Sequence, residues 1–254
     1  LDINNNIFTA SSDIFFLDCF FSDIKDNYSI QKVYLKLLSV NLIPLFVIVL
    51  IYVGLFIYFR INKLSTRGSK FYNFLVATIV IAVYNFQPMI VREDFKLFKC
   101  INLYREDNPL FFLEQDYDIQ CWTSEHLKWA LLFALPSIII WAIVLPMLLF
   151  MKLRTNKNRL DEKDIKAKYH FFYKGYKSDH YYWELINTSK KYILIAILIS
   201  QTSQSSELQI YLVVYVLLLF YRYHTARSPF QKQQHNQLEK AGIICSVLVS
   251  LNGV

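Results

Sequence analysis

The side chains with chemistry to offer are four cysteines, five histidines and one short run of carboxylates. Cys100 and Cys121 share one polar segment. In an oxidising compartment they would close a loop worth about 3 kcal/mol through chain entropy, and elsewhere they would be two free thiols. Glu114-Gln115-Asp116-Tyr117-Asp118 spaces its carboxylates alternately, as if to face a cation, but calcium needs six or more oxygens in a defined loop. A solvated acidic loop is the expectation. His126, His170, His180, His224 and His235 show neither HExxH nor paired CxxC spacing, so no metal site is expected. A phosphate-binding glycine loop and a GxSxG elbow are both lacking from the sequence. The reading is therefore of a protein that is not an enzyme and has no cofactor.

Composition fixes the solvent in which these groups act. Of 254 residues, 55% are hydrophobic and 17% aromatic, with only five glycines, the profile of a polytopic membrane protein. A span of hydrocarbon about 30 Å thick needs about 20 apolar residues. Segments 37–59, 71–91 and 129–151 satisfy this clearly; 184–203 and 208–223 need polar residues at their ends, and 242–254 begins a sixth span left incomplete. Long apolar runs without two-residue alternation are helices. The expected fold class is thus all-α, a transmembrane bundle of about six spans with interfacial helices. Pro44, Pro88, Pro136 and Pro146 fall in or beside the spans, tolerable where neighbouring helices satisfy the freed carbonyls. Asn85 and Gln87 are the intramembrane polar candidates, for a bond between helices or for an aqueous path. Cys245, in the sixth span, reads as ordinary packing.

Loop charge sets the orientation. The connection 60–70 carries Arg60, Lys63, Arg67 and Lys70 with no acid, and 152–168 is similarly basic, whereas 92–126 is rich in Glu and Asp. The basic loops are expected in the cytosol, and the acidic segment 1–36, the loop 92–126 and a short connection at 204–207 outside. The outer location makes a Cys100–Cys121 disulfide the expectation; Cys19 is outside too. Asn27 of Asn27-Tyr28-Ser29 is a glycosylation candidate on that side. The net charge of +7 follows from this topology and does not argue for nucleic acid; it suits anionic lipid at the inner surface. With no initiator Met at Leu1 and an apolar run at Val254, the chain reads as the ordered part of a longer polypeptide, any signal peptide lying upstream.

The stretch YKGYKSDHYYWE, Tyr173 to Glu184, concentrates aromatics and charges just before the fourth span. Tyr and Trp prefer the headgroup layer. Gly175 permits a bend, Asp179 is placed to cap a helix starting near His180, and Tyr176, Tyr182, Trp183 and Glu184 complete an interfacial elbow. A second elbow is expected at Pro229 and Phe230, with Asn236 and Glu239 at capping-box spacing for the sixth span.

The blocks FQPMIVREDFKLFKC, FLEQDYDIQCW, FFYKGYKSDHYYWE and NQLEK together resemble the membrane module of large polytopic surface proteins of ciliates and other protists. The resemblance runs from Phe71 to Lys240; His170 departs from it, standing where those proteins have glycine. It implies furin-like or ephrin-receptor-like cysteine-rich repeats upstream and a TRP-channel-like topology. The function it implies is a multi-pass membrane anchor or receptor-like protein in a plasma or ciliary membrane, holding a cysteine-rich extracellular region or protein partner among membrane lipids, with a homo-oligomer allowed. The competing expectations are a TRP-like cation channel subunit and a lineage-specific accessory subunit of a large complex in an organelle inner membrane.

Overall fold

The computed structural model describes residues 31–66, 68–103, 110–200 and 206–252. Cys19, Asn27 and positions 204–205 lie outside the described residues. The order is α1 (Lys32–Ile61), α2 (Ser69–Lys96), a sheet of β1 (Cys100–Asn102), β2 (Phe111–Leu113) and β3 (Asp116–Gln120), then α3 (Ser124–Thr155), α4 (Lys163–Tyr173), α5 (Trp183–Ser200), α6 (Ser206–Arg227) and α7 (Gln233–Asn252). The fold is all-α in character with a small antiparallel sheet in the order β1-β2-β3.

Among the described residues, four helices are long and apolar enough to cross a membrane: α1, α2, α3 and, within α6, Glu207–Arg227. Their exposed side chains are compatible with a hydrocarbon surrounding. On α1 alone Leu42, Leu45, Phe46, Val49 and Leu50 point outward, a surface that water would drive to aggregate. The segments expected as fourth and sixth spans are helical too, but α5 carries Glu184, Lys190 and Lys191, and α7 opens on the polar QQHNQLEK. That charge and polarity keep both out of the group of four.

Contacts at both ends order the helices. Phe59 packs edge-on against Phe71 at 5.2 Å, while Asn41 Nδ2 donates to Asp94 Oδ1 at 2.9 Å, so α1 and α2 are antiparallel. The α3 helix returns beside α2, with Ser137 at Asp94 and Trp141 at Gln87. Val91 packs with Tyr192, Ile195 and Ile199 of α5. Leu194 of α5 joins Val213 and Leu217 of α6 and Ile243 of α7. The sheet sits at one end of this bundle and the YKGYKSDHYYWE elbow at the other.

The prolines of α3 show why its helix is irregular. Two π-helical stretches, Ala130–Ala134 and Ile139–Val144, each end two residues before a proline, Pro136 and Pro146: Leu135 N–H reaches back five residues to Ala130 O, and Leu145 N–H to Ile140 O. In that register the next donor would be Pro146, bonding Trp141 O, but proline has no N–H. Gln87 Nε2 of α2 donates to Trp141 O instead.

Several expectations are corrected. The α2 helix runs on through Lys96, so Glu93 and Asp94 are buried helical residues and not loop charges. Cys245 is free and exposed on α7, not packed. Asp179 caps no helix: it lies exposed in a 3₁₀ turn, Ser178–His180, and α5 begins at Trp183. Asn236 forms no capping box, because α7 begins earlier, at Gln233, and Glu239 pairs instead with Lys190 at 2.9 Å.

Candidate functional site

At the elbow end, two distant segments form one clasp. The α4 helix ends at Tyr173, and Gly175 turns the chain with φ +89°, a left-handed conformation that glycine adopts without a Cβ penalty. Gly175 O then accepts Gln231 N–H at 2.9 Å, and Lys177 N–H donates to Pro229 O at 2.9 Å. Tyr176 and Phe230 form an antiparallel bridge with ring centroids 4.7 Å apart. Gln231 Nε2 adds a bond to Tyr176 O at 2.8 Å. Asn236 fixes the other side, accepting Phe230 N–H at 3.0 Å and donating to Phe230 O at 3.1 Å. The two elbows of the sequence reading are therefore one structure.

Glu184 is the hub inside the clasp. Its Oε1 accepts the Tyr84 hydroxyl of α2, and its Oε2 accepts the Tyr176 hydroxyl at 2.7 Å. Thr188 Oγ1 donates to Glu184 O at 2.9 Å and lies 2.9 Å from the Tyr84 hydroxyl; Asn187 Nδ2 donates to the Tyr176 hydroxyl at 3.3 Å. Burial, and then the adjacent Glu184 charge, push the Tyr176 phenol well above its ordinary value. Trp183 is 1% exposed. It stacks on Tyr223 at 5.1 Å and meets His224 edge-on at 5.8 Å, tying α5 to α6. Tyr182 lies half-buried against Phe150 of α3.

At the sheet end, Cys100 and Cys121 are joined, with Cα atoms 6.3 Å apart. Beneath the bridge His126 is fully buried. Its Nδ1 accepts Trp122 N–H at 3.2 Å, so Nε2 carries the proton and faces Leu97 O at 3.0 Å. The ligand atoms of Cys100, Cys121 and His126 lie within 4.8 Å of one another, yet the disulfide consumes both thiolates and both ring nitrogens are engaged, so as it stands the set does not suit a metal. Glu114 pairs with Lys99 at 2.8 Å, and Asp116 Oδ1 accepts Asp118 N–H at 3.1 Å. Below the sheet is a polar knot: Asp94, fully buried, takes Asn41 on Oδ1 and Ser137 on Oδ2, and the Ser137 hydroxyl lies 2.7 Å from Asn41 Oδ1.

Of the two intramembrane candidates, Gln87 is buried and bonds between helices, whereas Asn85 faces outward and donates to Ile81 O of its own helix at 2.8 Å. Sequence reasoning missed Asp94, Asn41, Ser137 and Tyr84. The spacing of their helices gave no signal, since each is satisfied only by residues on other elements. His126 did carry one: Thr123, three residues earlier, caps α3 by accepting His126 N–H at 3.4 Å, the arrangement that N-cap threonines favour. The carboxylate oxygens of Glu184 and Asp94 are all engaged. Both residues join helices.

No family model matches the sequence, and no solved structure matches it. Cysteine repeat modular protein A of Toxoplasma gondii is similar, with 22% identity over 186 residues, covering 70% of this chain and 6% of that protein. The chain thus spans a small fraction of the curated relative it matches, and the similarity links it to a cysteine-repeat protein of a protist.

Proposed function

We propose that this chain is the membrane-embedded module of a protist surface protein, a non-enzymatic anchor or receptor-like element that holds a cysteine-rich extracellular region or partner. The observation that carries the reading is the similarity, over 70% of the chain, to a protein named for its cysteine repeats. The apolar bundle supports it, since four helices have the length and hydropathy to cross a membrane. In this reading α5 and α7 complete six crossings, their polar ends held by the clasp and by the Lys190–Glu239 pair. The disulfide-closed sheet faces outward, where oxidation is allowed, and the basic connection between α3 and α4 faces the cytosol. The membrane would be the plasma or ciliary one.

The test is mass spectrometry of the protein from native membranes under non-reducing conditions after labelling intact cells with an impermeant amine reagent. Expected are surface labelling, a Cys100–Cys121 crosslinked peptide and cysteine-rich sequence in the same polypeptide or in a stoichiometric partner. An unlabelled protein copurifying with respiratory enzymes would overturn the reading in favour of an accessory subunit. Cation conductance of the purified protein in planar bilayers would replace the anchor with a channel.

A further inference from the structure

Between α2, α3, α4 and α5 is a cavity of about 280 Å³, near the lower end of the range for small-molecule sites, which run from about 300 Å³. Its wall includes Val83, Pro146, Leu149, Phe172 and Leu185, with Lys152 at the mouth. Three of the polar groups that reach it are already satisfied. Tyr84 and Thr188 are bonded at Glu184, and Gln87 is bonded to Trp141 O. An occupant therefore meets a largely apolar wall that offers a hydrophilic ligand little beyond the Tyr169 phenol.

The mouth is different. Lys152 is exposed, and its ammonium has no acidic partner among the described residues. Two acids of the connection that follows are taken: Glu162 by Arg159 at 2.6 Å, and Asp164 by Asn73 at 2.8 Å. Lys152 stands in the last turn of α3, where a helix of this length leaves the hydrocarbon; Lys157 follows in the connection, and Lys163 and Lys166 at the start of α4. An apolar slot within the bundle, opening beside an unpaired cation at headgroup depth, is complementary to an amphiphile with an anionic head. A sterol would fill the slot but leave the ammonium without a counter-charge.

We propose that this cavity takes one acyl chain of an anionic phospholipid from the leaflet at the elbow end, with Lys152 holding its phosphate. The proposal goes beyond the anchor reading and holds for any membrane-embedded role of the chain. Leu149 and Val83 line the slot, and Lys152 sets the headgroup preference.

The full chain is purified in mild detergent, delipidated and offered an equimolar mixture of dioleoyl phosphatidic acid and dioleoyl phosphatidylcholine, with bound lipid counted by native mass spectrometry. Wild type is expected to retain one phospholipid, with phosphatidic acid favoured about fivefold, the effect of a single basic residue near a headgroup. Lys152→Ala should bring the preference close to parity while a lipid is still bound; Val83→Trp, which fills the slot, should remove both. Should Val83→Trp fail to fold, Leu149→Phe serves instead. The proposal is overturned by a wild type that retains no phospholipid, by an unchanged preference in Lys152→Ala, or by undiminished retention in a folded slot-filling variant.

Discussion

Glu184 shows how a carboxylate can be held between helices by hydroxyls: each of its oxygens takes a phenol, from Tyr84 and Tyr176. Hydrogen bonds to a charged group contribute about 1.5–3 kcal/mol, so Tyr176→Phe should lower stability by that order in a thermal melt in detergent. An unchanged melt would mean that water replaces the phenol freely. Trp183, buried against Tyr223 and His224, is a packing residue. Trp183→Ala should cost about 3–5 kcal/mol, read as a lower melting temperature and yield; wild-type values would remove this account of the elbow. His180 gives a pH dependence. Burial, then the charges of Lys177 and Arg227, hold its imidazole below the ordinary value, with Asp179 opposing. A histidine depressed in the folded state binds its proton more readily when unfolded, so its contribution is present above a pH of about 6.5 and is lost as pH falls through that value. Melting temperature should therefore drop between neutral and mildly acidic pH more steeply in wild type than in His180→Gln, and parallel curves would count against the assignment.

The elements were legible wherever a helix is defined by its own apolar run. Segments 37–59, 71–91 and 129–151 lie within α1, α2 and α3. Their ends were not, because the signals that extend them are made at a distance. Nothing near Asp94 in the chain says that Asn41 and Ser137 will receive it, so a polar stretch read as loop is helix. The strands β1 and β2 are three residues each, too short for alternation to be seen. The proline rule does extend to an unread partner: Pro146 removes the donor that the π register would bring to Trp141 O, and Gln87 restores it. Gln87→Leu should cost about 1–3 kcal/mol by orphaning that carbonyl. Pro146→Ala, by supplying an N–H, should recover part of the loss. A double-mutant cycle with no coupling beyond about 0.5 kcal/mol would show the two to be independent.

For the whole molecule, the class was legible from composition, while the joining of its two ends was not. The disulfide fixes the sheet to the top of α2 and α3, because Cys100 follows α2 and Cys121 precedes α3. Cys100→Ser with Cys121→Ser should lose about 3 kcal/mol, and reducing agent should shift the wild-type melt equally. A shift with reductant in the double variant would place the effect elsewhere. The clasp at the other end was hidden because it pairs residues 175–177 with 229–231 through backbone groups, which no side-chain pattern announces. That same feature decides which changes the lineage can accumulate. Lys177 and Pro229 contribute only their main chains to the pairing, so the pairing itself asks little of their side chains, whereas a single-residue insertion or deletion between Tyr176 and Glu184 would break the frame in which Tyr176 meets Phe230 and Glu184 at once. Length, more than lettering, is what this stretch must inherit.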